Sequence, residues 1–357
     1  MIQNLRHITL VFLVLLSMPY SCVERIDLPP PAGLTEAVVI QGRLVMGENS
    51  RIEITTTRLF DFSAESKLAL NVKEAILRDD EGNEMEIVPL FKGVFNTPLD
   101  ENSPIQLQVG KSYALEITTL DNRTYRSSFD VLTDNPAPKS MTFGEAEAFA
   151  PSATGSLSRI KQLETFIDAE ITENRGGLLW EVTRTYRLTD TPLDSPPKTC
   201  YLTSVFSLET IPTFSSENPI LLNNYSLGKQ ILDFRASEGM YINVNQLSLS
   251  PEASDYWAAV SSLAKKEGDL FDEPVGLIPT NFENINDPDE EVFGYFFATT
   301  EKQIRQRVPE ELVRDIPRPC PPINPPQDLG NQCNLGVCCD CLDGPQATLT
   351  RPDFWID

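Results

Sequence analysis

The chain has 357 residues, long enough for two domains, and 41% of them are hydrophobic, too many for a disordered protein. It carries 52 acidic and 29 basic residues, and the formal net charge of −23 excludes nucleic acid as a partner because phosphates would be repelled. The single histidine, His7, lies in a stretch expected to be removed, which leaves no Ser-His or Cys-His nucleophile pair and no histidine metal site.

Residues 1–21 have the order of a secretory signal: Arg6, then the apolar run Ile8 to Met18, then Ser21 before Cys22. The run is too short to span a bilayer, which needs roughly 20 residues. A cysteine directly after a small residue predicts more than export: Cys22 is the expected lipidation site and the first residue of the mature chain. Residues 22–35 read as a tether, stiffened by Pro29, Pro30 and Pro31. No later stretch is long and apolar enough to cross a membrane, so the expected anchor is the lipid.

Residues 36–133 read as an immunoglobulin-like β-sandwich. Ile52 and Ile54 alternate with Arg51, Glu53 and Thr55, the period of a half-buried strand. Residues 74–77 and 85–88 flank the turn residues Asp79 to Asn83 and predict a hairpin. Tyr113, Leu115 and Ile117 share one face of another strand, which turns at 119–122 into residues 123–129. About seven short strands at near-regular spacing suit a sandwich.

Residues 134–160 are expected to be a linker; its start is marked by Pro136 and Pro138, and residues 144–160 read as a loop rich in Ala, Ser and Gly. Residues 161–300 read as a larger β-rich domain. Its strands are expected at 165–171, 177–188, 201–206, 230–234 and 240–249, with a last one at 292–299 buried on both faces. It holds one amphipathic helix, 251–267. Ser250 is a good N-cap, Pro251 suits the first turn, and Ala253, Tyr256, Trp257, Val260 and Ala264 form an apolar face. The aromatic pair on that face is read as core.

Residues 301–357 form a Pro- and Cys-rich tail expected to pack on the second domain. Assigning Cys22 to the lipid leaves Cys200, Cys320, Cys333, Cys338, Cys339 and Cys341, which an exported chain should oxidise. Their spacing lacks the Cys-x-x-Cys units of a zinc site, so disulfides are expected, with 15 possible pairings and at least one bridge from Cys200 to the tail. The acidic runs Asp79 to Glu84 and Asp287 to Glu291 match no spaced calcium loop and read as solvated turns. No metal, cofactor or catalytic residue is assigned.

The assembled pattern resembles a family of Bacteroidota outer-membrane lipoproteins, the domain of unknown function 4249. The phrases that carry it are Cys22 with acidic and Pro-rich residues behind it, Val38-Val-Ile-Gln-Gly42, Gly110-Lys-Ser-Tyr-Ala-Leu-Glu-Ile117 and Leu179-Trp-Glu-Val182. Further along come Tyr256-Trp257 before Gly268-Asp-Leu-Phe-Asp272, then Ile285 to Phe296, Cys339-Asp-Cys341 and Arg351-Pro-Asp-Phe-Trp355. The resemblance implies a cell-surface lipoprotein of the outer membrane, associated with a TonB-dependent β-barrel receptor in nutrient capture or uptake. It assigns no catalytic or binding residue, so the chain is expected not to be an enzyme. An adhesin or envelope scaffold is the alternative, and a carboxylate-based glycan hydrolase a remoter one.

Overall fold

The computed structural model describes residues 37–58, 68–151, 156–172, 174–192, 195–206, 208, 211–264, 278, 280–320 and 336–356. The expected signal peptide, Cys22, the tether, Cys333 and the last three residues of the expected helix lie outside the described residues. What is described is mainly β, with few helices.

The strands in chain order are β1 (Val38–Met46), β2 (Arg51–Arg58), β3 (Leu68–Ala69), β4 (Val72–Asp79), β5 (Glu84–Glu86), β6 (Pro89–Phe91) and β7 (Val94–Pro98). Next are β8 (Ser112–Thr119), β9 (Thr124–Ser127), β10 (Asp130–Val131), β11 (Ser140–Pro151), β12 (Leu157–Ile171), β13 (Gly176–Thr189), β14 (Thr199–Val205), β15 (Thr213–Ser216), β16 (Ile220–Ile231) and β17 (Met240–Leu249). Helix α1 (Pro251–Ala264) precedes β18 (Phe282–Asn284), β19 (Val292–Arg307) and β20 (Ala347–Thr348).

They form three sheets. The largest runs β20-β14-β13-β17-β19-β1-β2-β7-β6, with β15 joined to β13 and β3 to β2. The second runs β18-β9-β8-β4-β5 with β10 on β8, and the third β11-β12-β16. The N-terminal sandwich packs the β1-β2-β7 side of the first sheet on the second. Strict alternation along β2 buries Ile52 and Ile54 against Leu77, Leu115 and Ile117. The Asp79 carboxylate closes the β4–β5 hairpin by accepting from the Glu81 and Asn83 backbone N–H groups.

The sandwich is completed from far along the sequence. Strand β19 runs parallel to β1 from Val292 to Thr300, then antiparallel to β17 from Glu301 to Arg307. Parallel neighbours need a crossover, and here nearly the whole described chain intervenes. Phe296 and Ala298 enter the sandwich core while Tyr295 and Phe297 pack on the opposite face beneath α1. Both faces are therefore covered, as the uninterrupted apolar run Tyr295 to Ala298 requires. The strand also crosses residue 301, so the tail begins later than its composition suggests.

The loop expected at 144–160 is corrected: residues 144–151 and 157–160 lie in strands β11 and β12. Glu145 and Glu147 alternate with Ala146 and Ala148, and their carboxylates meet Lys161 and Arg159 across the β11–β12 ladder. Small residues that suggest a loop in isolation are held here as a ribbon by cross-strand pairing. The strand expected at 230–234 instead starts at Ile220 and ends at Ile231, followed by a 3-10 turn at Phe234–Ala236. The third sheet covers Trp180, Val182, Ile242 and Val244 of the first through Leu163, Ile167, Leu222 and Leu227, which makes a second core.

The tail folds back on this second core. Cys200 bonds Cys341, and Cys320 bonds Cys338. Strand β20 adds to β14, and Trp355 packs on Tyr201 and Tyr241 at centroid distances of 5.1 and 5.0 Å.

Candidate functional site

The two cores meet along β19, and the joint is pinned by buried polar groups. Ser250 caps α1: its Oγ accepts from the Ala253 N–H at 3.1 Å and donates to Asp130 Oδ1 at 2.5 Å. The Ala298 N–H of β19 donates to Asp130 Oδ2 at 2.7 Å. One carboxylate, 3% exposed, thus ties together the sandwich, the helix start and the shared strand. Burial pushes the Asp130 carboxyl up to about 6, against the two hydrogen bonds that favour its charged form, while the Glu252 charge adds to the rise.

A carboxyl raised in the folded state gives stability that is fully present below its unfolded value, near 3.8, and lost as pH rises through about 6. The effect is on the order of 3 kcal/mol at most. Asp130→Asn removes this ionisation at nearly constant shape. Thermal unfolding of wild type and variant should therefore diverge between pH 4.5 and pH 7.5, the wild type gaining on the variant as the solution is acidified. Parallel curves over that range would exclude the ionisation.

Beside this joint, α1 overhangs the sheet and leaves an open groove of about 200 Å³. Tyr256 and Trp257 of α1 with Tyr295 and Phe297 of β19 form its wall. Tyr256 stacks on Tyr295 at 4.3 Å, and Trp257 meets Phe297 edge to face at 5.9 Å. The aromatic pair was read as core; Tyr256 and its stacked partner are buried, but Trp257 is half-buried at the groove.

The floor is polar: Gln41 and Arg43 from β1, Glu53 and Thr55 from β2, Glu181 from β13. Arg43 bonds Glu53 through Nε and Glu181 through Nη1, and Arg51 joins Glu53 to Glu301. Burial alone would lower the Arg43 pKa, but the charges of Glu181 and Glu53 raise it above the ordinary value. Burial alone would raise Glu53, yet Arg43 and Arg51 hold it below the usual carboxylate range. The floor is thus an ionised chain joining strands of both halves of the sheet. Strand alternation places these side chains on the face away from the sandwich core, but no spacing in sequence shows that β1, β2 and β13 bring them to one place.

The sequence-derived site residues lie elsewhere. Cys200 and Cys341, and Cys320 and Cys338, are paired; Cys339 is half-buried, and Cys22 and Cys333 fall outside the described residues. Among the described residues, one trio of potential ligands, Asp190, Asp340 and Cys341, has close spacing. Its sulfur is committed to Cys200, and the Lys198 ammonium lies 2.8 Å from Asp340 and 3.8 Å from Asp190, so a lysine already neutralises the carboxylates. In the acidic run before β19, Glu290 accepts from Arg123 and Tyr125, each at 2.9 Å, and serves the packing of that loop.

A search among curated proteins finds no match. A family model described as a domain of unknown function, DUF4249, matches residues 24–305. The matched span takes in the sandwich, the ribbon, α1, every residue of the groove and most of β19. The phrases at 339–341 and 351–355 lie beyond it. With the match extending over most of the sequence, the chain belongs to the DUF4249 family.

Proposed function

We propose that this protein is a non-enzymatic, lipid-anchored outer-membrane protein of the cell surface that helps a TonB-dependent β-barrel transporter capture or admit a nutrient. Cys22 in its signal context supports the anchor, and family membership is consistent with it. The observation that carries the binding role is the groove, a solvent-open recess with an aromatic wall and a polar floor at the joint of two packed cores. Such recesses, mixed in polarity and set at domain junctions, are where ligands usually bind.

The groove's chemistry does not favour glycan hydrolysis, which needs one carboxyl kept protonated as an acid. Glu53 is held ionised by two arginines, the opposite of what an acid catalyst requires. Asp130 has the raised value, but it is buried with both oxygens engaged by Ser250 and Ala298.

The test is direct. Mass spectrometry of the mature protein should find acyl chains on Cys22, and Cys22→Ser should release the protein from the membrane. Extraction in mild detergent should recover a β-barrel partner with the wild type. An unmodified Cys22 together with no barrel partner would overturn the proposal. The adhesin or scaffold reading draws on the β11–β12 ribbon, where Phe149 and Leu157 are 66% and 70% exposed. A deletion strain that grows normally on every nutrient but loses attachment would favour it.

A further inference from the structure

We propose that the groove between α1 and the sheet binds a neutral saccharide ring, laid beside Trp257 and hydrogen-bonded to the charged floor. This deepens the nutrient-capture reading by naming a ligand class, but saccharide binding can be measured whether or not a transporter is involved.

The groove's unused valences specify the ligand. The Trp257 indole N–H is itself closed off from solvent, so the half-buried ring offers the groove an aromatic surface and no donor. Arg43 spends Nε and Nη1 on Glu53 and Glu181, and its Nη2 hydrogens bond nothing among the described residues. On the acceptor side, Glu181 uses one oxygen on Arg43, and its side chain is 41% exposed. Thr55 and Gln41 line the same floor and can both donate and accept. The ligand must therefore accept from a guanidinium and also donate to a carboxylate, beside an aromatic wall and within one small space.

Each simpler ligand fails one of these demands. An anion would face Glu53 and Glu181 and a chain of net charge −23. A cation would suit Glu181 and the rings but would leave the free Arg43 N–H donors without an acceptor. An apolar ligand would strip water from the ion pairs with nothing in return. Hydroxyl groups donate and accept, and a pyranose carries several around its rim while presenting a face of C–H groups. That face suits an aromatic wall, and the rim suits the floor.

Size agrees. The recess of about 200 Å³ is smaller than drug-sized pockets, roughly 300–1,000 Å³, so it takes one ring. Being open along one side, it lets neighbouring sugars continue outside.

The chain reports its own occupancy. Of its 3 tryptophans, Trp180 and Trp355 are each 2% exposed, and only Trp257 borders the groove. The mature lipoprotein in detergent micelles would be titrated with maltose, cellobiose, xylobiose, mannobiose, lactose and diacetylchitobiose. Tryptophan fluorescence and calorimetry would be read together. At least one sugar should shift the emission and bind with a calorimetric signal. Trp257→Ala, which removes the aromatic edge of the groove, should weaken that sugar about tenfold by calorimetry, and Glu181→Gln should weaken it similarly, with both variants still folded by circular dichroism. The inference is overturned if none of these sugars binds, or if the affinity survives Trp257→Ala and Glu181→Gln alike. It is likewise overturned if tetramethylammonium or adenosine, run as cationic and heterocyclic probes, displaces the bound sugar more strongly than an unlabelled sugar does. A bound sugar with no barrel partner would leave this inference standing and remove the transporter; a barrel partner with no bound sugar would do the reverse.

Discussion

Gly294→Ala is expected to cost about 4 kcal/mol or more, enough to unfold a marginally stable protein. Two independent reasons act at this residue. Its φ of +99° is a conformation that side chains with a Cβ rarely adopt. A Cβ built there would also lie 1.9 Å from the carbonyl oxygen of Ile40, a backbone atom that cannot swing aside. Ile40 is Gly294's partner in the β1–β19 register, so the clash falls on the pairing that joins the two halves of the large sheet. Gly42→Ala, two residues along β1, is the control. Its Cβ would meet side-chain atoms and no backbone, Leu115 Cδ2 at 2.9 Å and Phe296 Cδ2 at 3.0 Å. Those can shift, and the expected cost is about 1–2 kcal/mol. Urea unfolding of both variants separates the cases; equal losses would show that the β1–β19 contact is not the constraint described.

Removing the Cys200–Cys341 bridge is expected to cost about 5 kcal/mol on the chain-entropy account. The bond closes 141 residues of sequence, against 18 for Cys320–Cys338, for which the same account gives about 3 kcal/mol. Both sulfurs of the longer bridge are fully buried in the second core, so alanine also leaves a small void. Cys200→Ala, Cys341→Ala and the double variant should lose nearly the same amount, since each breaks one bond. Peptide mapping without reductant should recover the 200–341 and 320–338 pairs. A loss below about 1 kcal/mol would mean that β20 and Trp355, packed on Tyr201 and Tyr241, hold the tail unaided.

Local alternation was enough to read the elements whose own residues decide them. Tyr113, Leu115 and Ile117 are buried together, the β4–β5 hairpin turns at its acidic tip, and Ser250 caps the helix with the expected geometry. The outer part of the β11–β12 ribbon escaped because the less exposed side of β11 there is Ala146 and Ala148, whose weak apolarity gives no period to see, whereas β12 from Thr165 to Ile171 was legible. Its stability comes from partners on another strand. Arg43 and Glu53 escaped as a site for a related reason: on a strand they look like any solvated face.

By itself, then, the sequence determined facts that need no distant partner: a β-rich body, cysteines spaced for disulfides and not for zinc, and family membership. These follow from residue types and short periods, which local physics reads directly. Only the tertiary structure decided which cysteines meet, that β19 belongs to both cores, and that a charged floor lies under the aromatic overhang of α1. Those are contacts between residues far apart in the chain, fixed by how whole faces bury one another, and no local pattern encodes the distance between them.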